Sequence, residues 1–174
     1  MGYKINAISI PKGFESFNTT SAFLLENIYY RGTLLEYFEY GYQVGKGVNN
    51  GSVNGVSYDH INYYFLDDNN EYYLLKEVTL PNSFTVVKEG QFRGFELDKL
   101  VIPSTVTTIE SYSLNSCKIK DIIIPSSVTS IGSYAFSSSD YIQNIYFEGT
   151  EEAWKAMYTG ELYGINVVFN YVIE

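Results

Sequence analysis

Hydrophobic positions recur through the second half of the chain at a spacing of 22 residues, each time in the same arrangement. The stretches EVTLPNSFTVVKEGQF, KLVIPSTVTTIESYSL and DIIIPSSVTSIGSYAF align without gaps. Self-similarity at such a period is typical of a solenoid, in which each repeat buries its apolar face against its neighbours. The pattern predicts a repeat solenoid that is mostly β, with short helical turns and a 22-residue period.

Each repeat begins with a short alternating run, which predicts a β-strand with its apolar side chains in the core. A proline ends each strand, because proline has no N–H to donate to the ladder. A second extended piece and a tight bend then lead to the next repeat. The inward strand residues are Leu75, Val78, Leu80, Leu97, Leu100, Ile102, Ile119, Ile122 and Ile124. The columns after the proline are Phe84, Val106 and Val128, then Val87, Ile109 and Ile131, then Phe92, Leu114 and Phe136.

The N-terminal third repeats the order of the C-terminal end in a degenerate form. In both places a Gly-Thr pair, at Gly32 and at Gly149, precedes a run of helix formers. Thr33 and Glu36 have the spacing of a capping box, so we expect short helices near residues 34–40 and 151–158. The tail units 24–60 and 142–174 are expected to cap exposed apolar rungs.

We expect one continuous domain in four sections. Residues 1–60 form a degenerate N-terminal repeat with a short helix and a Gly-rich loop, and residues 61–75 a hairpin or a strand leading into the array. Residues 76–147 form three full repeats plus the final strand, and residues 148–174 a C-terminal cap of helix and strand. The turn signal Asp-Asp-Asn-Asn between two Tyr-rich runs is the basis for the hairpin.

The pattern I-x-I-P-x-x-V-T-x-I-x-x-x-A-F, with the tail NIYFEGTEEAWKAM, resembles the BspA-type leucine-rich repeat, most clearly over residues 74–157. A cysteine often follows the bend in that family, and Cys117 occupies this place, with Phe95 one repeat earlier. Gln91 and Ser113 depart from the usual small alanine. The resemblance implies a right-handed leucine-rich-repeat-like solenoid of a family found on bacterial surface and adhesion proteins, in some protozoan proteins and in phage-encoded proteins.

Composition narrows the class of partner. The 18 Tyr and 11 Phe residues exceed what a core of this size requires, so some rings are expected to face solvent or a partner. A net charge of −9 argues against nucleic acid and against anionic membrane surfaces. No stretch approaches the roughly 20 apolar residues of a membrane span, and no apolar segment of signal-peptide length begins the chain.

No constellation of residues predicts catalysis, a metal site or a cofactor. His60 and Cys117 are the single histidine and the single cysteine, and nothing would orient the ring of such a dyad. We interpret Cys117 as a small core residue and His60 as a strand-edge or loop residue. The Gly-rich stretch 41–57 does not match a phosphate-binding motif and is interpreted as a flexible loop. Residues 67–71, DDNNE, lack the glycine and distal Glu of a calcium loop and are interpreted as a turn.

The outward column of the strands is the main candidate for a binding surface, because a solenoid presents one outward residue per repeat on a continuous face. The candidates are Thr79, Val101, Ile123 and Tyr146, flanked by Glu77, Lys99, Asp121 and Asn144. Apolar and aromatic side chains beside charges are typical of a protein-contacting patch. The alternative is that a neighbouring element, such as residues 61–75, covers the column.

These observations favour a non-enzymatic module for binding and adhesion that presents a rigid Tyr-rich surface to a protein or a surface glycan. The alternative is a structural subunit of a larger assembly such as a phage virion, in which the exposed column and the open solenoid ends mediate self-assembly. A fragment of a secreted protein would lie on a bacterial cell surface, and a phage-encoded protein would lie in the virion.

Overall fold

The computed structural model describes residues 7–12, 27–38, 62–92, 94–139 and 141–172. Its elements are β1 (Ala7–Pro11), β2 (Asn27–Arg31), α1 (Leu34–Glu36), β3 (Asn62–Leu66), β4 (Tyr72–Leu74), β5 (Glu77–Thr79), β6 (Val86–Val87), β7 (Glu96–Val101), β8 (Thr108–Ile109), β9 (Lys118–Ile124), β10 (Ser130–Ile131), β11 (Asn144–Phe147), α2 (Glu151–Met157) and β12 (Asn166–Val168). The chain divides into two compact units, Met1–Leu75 with Arg93–Glu96 and Lys76–Phe92 with Leu97–Glu174.

The first unit contains a four-stranded sheet in the order β1-β2-β3-β4. The first three strands are parallel, and β4 folds back antiparallel on β3, so residues 61–75 contain the hairpin, one of the two interpretations of that segment. The Asp67 carboxylate accepts hydrogen bonds from the backbone N–H groups of Asn69 and Glu71 at 2.9 and 2.8 Å. These bonds, with that from Glu71 first, lower the pKa of Asp67 and fix the turn.

The core of the first unit is aromatic. Phe95 stacks on Tyr63 with ring centroids 4.2 Å apart, and Tyr37 packs edge-on against Tyr30 at 5.3 Å. The buried rings are Tyr30, Tyr37, Phe38, Tyr63, Phe65 and Phe95. Part of the high aromatic content therefore serves the core and not a surface.

The second unit contains two parallel sheets, β12-β11-β9-β7-β5 and β10-β8-β6. Strands of successive repeats pair in register, as in Val78 opposite Leu100 and Val87 opposite Ile109. Every predicted inward strand residue is buried, and so is every residue of the later columns except Phe84, which is half-buried. The prediction of a mostly β solenoid with a 22-residue period is confirmed.

The bends between the strands contain two positions with left-handed backbone. The first position is occupied by Gly90, Tyr112 and Tyr134 with φ of 69°, 58° and 60°, and the second by Gly94, Ser116 and Ser138 with φ of 78°, 55° and 52°. Gln91 stands where the repeat family usually has alanine, and it has a local role. Its buried side-chain Oε1 accepts a hydrogen bond from the Lys88 N–H at 2.8 Å. The same conformation thus recurs in successive bends although their sequences differ.

The two tail units begin their helices in the same way. Thr33 Oγ1 accepts from the Glu36 N–H at 3.3 Å and the Glu36 carboxylate accepts from the Thr33 N–H at 2.9 Å, which is the predicted capping box. At the other tail, Thr150 Oγ1 accepts from the Ala153 N–H at 3.2 Å. Helices α1 and α2 therefore start where the sequence predicts them, and residues 39–40 lie outside the described part of the chain.

The glycine before each helix lies against an aromatic ring. A Cβ at Gly32 would lie 2.7 Å from the Tyr30 ring, and a Cβ at Gly149 would lie 2.5 Å from the Phe147 ring. Phe147 in turn packs edge-on against Trp154 at 5.4 Å, the arrangement that Tyr30 has with Tyr37 in the first unit. In each tail, one ring of an aromatic pair thus packs against a glycine at a position with no room for a side chain.

Candidate functional site

The outward column proposed from the sequence lies on one face of the five-stranded sheet. Thr79 of β5 lies opposite Val101 of β7, and Ile123 of β9 lies opposite Tyr146 of β11. The Ile102 N–H donates to the Ile123 carbonyl at 3.0 Å and so connects β7 to β9. The register of the strands therefore brings these residues together as neighbours in successive repeats.

The exposure of this column differs from the expectation at its centre. Thr79 is exposed and Val101 and Tyr146 are half-buried, but the Ile123 side chain is only 3% exposed. Ile123 lies on β9, the middle strand of the five-stranded sheet, and is therefore not a surface residue of the column. Val168 of β12, opposite Tyr146, adds a half-buried member that the sequence reasoning missed, although NVVF parallels NIYF.

The flanking residues are engaged between the strands. Glu77 lies opposite Lys99 in the register of β5 and β7. The side-chain amide of Asn144 donates to Asp121 Oδ1 at 2.7 Å, and Asn144 Oδ1 accepts from the Asn166 amide at 3.1 Å. Such a ladder of cross-strand polar pairs stabilises the register. Asp121 and Asn144 thus have a structural role that requires no partner.

The single thiol is a core group. Cys117 is 1% exposed, its Sγ lies 3.6 Å from the Oγ of Ser139, and burial raises its pKa to about 11. Phe95 and Ser139, one repeat before and one after, are buried as well. A thiol that stays protonated at neutral pH is a poor nucleophile. The interpretation of Cys117 as a small core residue is confirmed, whereas His60 lies outside the described residues.

Of the other sequence candidates, only residues 67–71 lie in the described part of the chain. Residues 67–71 form the predicted turn, and among the described residues no three His, Cys, Asp or Glu side chains are grouped to hold a metal ion. The Gly-rich loop 41–57 lies outside the described ranges. Within those ranges, no helix is long and apolar enough to cross a membrane.

Two exposed tyrosines at the bends are the most unusual surface feature of the second unit. The rings of Tyr112 and Tyr134 stack with centroids 5.3 Å apart, and the side chains are 44% and 59% exposed. Left-handed backbone costs a non-glycine residue about 1–2 kcal/mol, and Gly90 has the same conformation at the equivalent position. The sequence reasoning assigned a bend here without singling out its tyrosines, although a glycine in one copy of the turn was a signal of positive φ.

The tyrosine pair adjoins a cleft of about 570 Å³ between the last bend and the segment that follows α2. We call this the bend cleft and define it by lining residues within 131–139 and 157–165. Its buried lining includes Phe136 and Tyr158, whose rings meet edge-on at 5.4 Å. Tyr134 lines the cleft at 59% exposure and Tyr163 at 82% exposure. The cleft therefore combines an apolar floor with two accessible rings.

The polar groups of the bend cleft are hydroxyls and one carboxylate. Ser133, Ser138 and Thr159 carry hydroxyls that make no hydrogen bond to another described residue, and the same holds for the Glu161 carboxylate. The lining includes no Lys, Arg or His. Burial raises the pKa of the Tyr158 phenol, so this group is neutral at physiological pH. The cleft is thus rich in hydrogen-bonding groups and has no positive charge.

The comparison with protein-family models agrees with this architecture. A family model described as the BspA type leucine rich repeat region matches residues 62–163 in six copies. Comparison with curated proteins gives no significant match. A solved structure described as a leucine rich cell surface protein from Faecalibacterium prausnitzii is 17% identical, with a TM-score of 0.23, over 88% of this chain. The chain spans about half, 54%, of the length of that protein.

Proposed function

The chain belongs to the BspA-type leucine-rich repeat family, and from this premise we propose that it is a non-enzymatic adhesion module that contacts its partner with tyrosines at the bends of the repeat. The observation that carries the proposal is the stacked pair Tyr112 and Tyr134, which is exposed although its backbone is strained. Strained residues that remain accessible are concentrated at binding sites, and glycine would remove the strain at both positions.

Hydrogen bonds between successive bends fix the backbone that carries these rings. The Gly90 N–H donates to the Tyr112 carbonyl at 3.2 Å, and the Leu114 N–H donates to the Ala135 carbonyl at 3.0 Å. The Asn115 amide donates to the carbonyl and hydroxyl oxygens of Ser137 at 2.9 and 2.7 Å. A surface ordered before contact loses little conformational entropy on binding, and tyrosine adds a large contact area with few rotatable bonds.

The proposal is tested by biolayer interferometry of the intact chain against purified extracellular matrix proteins and cell-surface glycoproteins. We expect at least one specific ligand, and an affinity about tenfold weaker for Tyr112→Ala and for Tyr134→Ala. Tyr72→Ala is the matched control, because Tyr72 is 42% exposed on β4 of the first unit. Absence of any ligand, or equal affinity for all four proteins, contradicts the proposal.

One observation favours a second candidate, a subunit of a larger assembly such as a phage virion. Strand β12 is at the end of its sheet, and its residue Val167 and the following Phe169 are only half-buried. The equivalent residues of β3, Tyr63 and Phe65, are 2% and 0% exposed, and β4 pairs with that strand. An incompletely covered strand is a place where a second copy can pair.

The second candidate is tested by light scattering on a sizing column over a range of micromolar concentrations. Self-association through β12 predicts a mass that rises with concentration and returns to the monomer in Val172→Lys, since Val172 is 76% exposed and follows this strand closely in the chain. A monomeric mass at every concentration eliminates the assembly candidate and leaves the adhesion module.

A further inference from the structure

We propose that the bend cleft binds a neutral saccharide. The inference rests on the proposed function, because it specifies the ligand class of an adhesion surface that includes Tyr134. The volume of the bend cleft, about 570 Å³, falls within the range of about 300–1,000 Å³ that is typical of small-ligand sites in proteins. The argument depends on three properties of the lining: its rings, its hydroxyls and its charge.

The accessible rings fit the apolar face of a sugar. A pyranose presents weakly positive C–H groups on one face, which pack on the electron-rich face of an aromatic ring. Tyr134 and Tyr163 offer two such rings at 59% and 82% exposure. Phe136 and Tyr158, which are 4% and 7% exposed, form the floor beneath them. Rings on a concave surface therefore provide platforms for one or more sugar residues.

The oxygen atoms of the lining fit the polar edge of a sugar. The hydroxyls of Ser133, Ser138 and Thr159 and the Glu161 carboxylate have no hydrogen-bond partner among the described residues. A hydroxyl donates and accepts, and a carboxylate accepts from two vicinal sugar hydroxyls. Both groups match a ligand whose perimeter consists of hydroxyls.

Charge disfavours an anionic ligand, and the backbone of the bend disfavours the addition of a peptide strand at that bend. A phosphate, sulfate or sialic acid would meet the Glu161 carboxylate with no cationic side chain in the lining, on a chain of net charge −9. An extended peptide needs free backbone groups to pair with. In this bend the Ala135 and Ser137 N–H groups already donate to carbonyls of the same bend at 3.3 and 3.2 Å.

A spectroscopic reporter adjoins the cleft without lining it. Trp154 is the single tryptophan, and its ring centroid lies 5.8 Å from that of Tyr158, which lines the cleft. A saccharide on the floor changes the surroundings of Tyr158, so we expect a saturable change in tryptophan emission during titration. Because Trp154 is only 5% exposed, free saccharide in solution does not contact its ring directly.

The test starts with an array of neutral and sialylated oligosaccharides and continues with saturation-transfer NMR and fluorescence titration of the best neutral ligand. Lactose and 3′-sialyllactose are included throughout as a neutral and anionic pair. We expect a neutral saccharide to bind. Its affinity should be about fivefold weaker for Tyr163→Ala and for Tyr134→Ala than for the native chain. The control Tyr72→Ala, in the first unit, should keep the full affinity. Glu161→Gln should reduce the ratio of the affinity for lactose to that for 3′-sialyllactose.

Three results overturn the inference: no neutral saccharide binds, an anionic one binds more tightly than its neutral counterpart, or neither tyrosine variant changes the affinity. Tyr163→Ala is a safe variant, because this side chain is 82% exposed and its removal leaves the core intact. A glycoprotein ligand separates this inference from the proposed function. If enzymatic deglycosylation leaves its binding unchanged and Tyr112→Ala still weakens it, the adhesion module stands and the saccharide cleft does not.

Discussion

The Sγ atom of Cys117 lies 3.6 Å from the Oγ atom of Ser139, so two residues one repeat apart share a buried contact. Ser139 also donates to the Leu114 carbonyl at 2.6 Å, which leaves its hydroxyl fixed beside the thiol. The equivalent position of the preceding repeat has Phe95, which is also buried, so the residue type at this position varies from repeat to repeat. The column tolerates this change because each repeat packs only against its neighbours.

The buried thiol predicts a loss of stability at high pH. Its pKa is about 11 in the folded chain against 9.0 when unperturbed, because burial disfavours the thiolate. A raised folded-state pKa contributes stability that is complete below pH 9 and is lost as pH rises towards 11. Two pKa units correspond to about 3 kcal/mol well above the folded-state pKa, and about 2 kcal/mol of this loss is reached at pH 11. Urea unfolding at pH 8 and pH 11 should show this loss in the native chain.

The control is Cys117→Ala, which lacks the titrating group. Tyrosines and lysines titrate alike in both proteins, so the difference between their pH slopes isolates the thiol. Equal losses of unfolding free energy between pH 8 and pH 11 would show that the thiol is not desolvated in the folded state.

Ser113→Ala should stabilise the protein. Ser113 is fully buried at a position where the next repeat has Ala135, and its Oγ has no hydrogen-bond partner among the described residues. An unsatisfied buried hydroxyl costs about 1–3 kcal/mol, so the substitution is expected to raise the unfolding free energy by about 1 kcal/mol. Thermal and urea denaturation measure the change.

Ser137→Ala is the matched comparison for that substitution. Its hydroxyl donates to the Tyr134 carbonyl at 3.0 Å and accepts from the Asn115 amide at 2.7 Å. Removing it should lower stability by about 1 kcal/mol. A Ser113→Ala protein that is less stable than the native chain would contradict the assignment of an unsatisfied hydroxyl.

Position 134 should reverse the usual order of alanine and glycine. Tyr134 has a φ of 60°, which glycine adopts freely and alanine does not. Tyr134→Gly is therefore expected to be more stable than Tyr134→Ala by about 1 kcal/mol in urea denaturation. Tyr163 does not have left-handed backbone, so Tyr163→Ala should be more stable than Tyr163→Gly. The same order at both positions would argue against backbone strain at the bend.

Deletion of residues 148–174 should make the protein aggregate. Trp154 lies in this segment and packs on Phe147 and Phe136, with ring centroids 5.4 and 6.3 Å away. Its removal, with that of β12, exposes both rings and the edge of β11, which predicts association at micromolar concentration. Light scattering and thermal denaturation check this, and a soluble truncation that unfolds cooperatively would exclude a capping role.

The repeat made the core predictable from sequence, because a fixed period places equivalent residues in contact. Inward residues such as Leu100 and Ile122 follow directly from alternation along a strand. The burial of Ile123 does not, because alternation along a strand does not show how far the outward face is covered. The bend cleft depends on how the segment after α2 packs against Tyr134, and that segment lies beyond the three aligned repeats.

The matched tails have a consequence for how such chains can be built. In the first unit the strand after the Gly-Thr helix adds in parallel to β2, just as β12 adds to β11, and the amide of Asn62 donates to Asn27 Oδ1 as that of Asn166 does to Asn144. In the first unit a further strand, β4, pairs with β3. The edge of β12 that corresponds to the β3 edge covered by β4 pairs with no strand among the described residues, so a strand added there would lengthen the array.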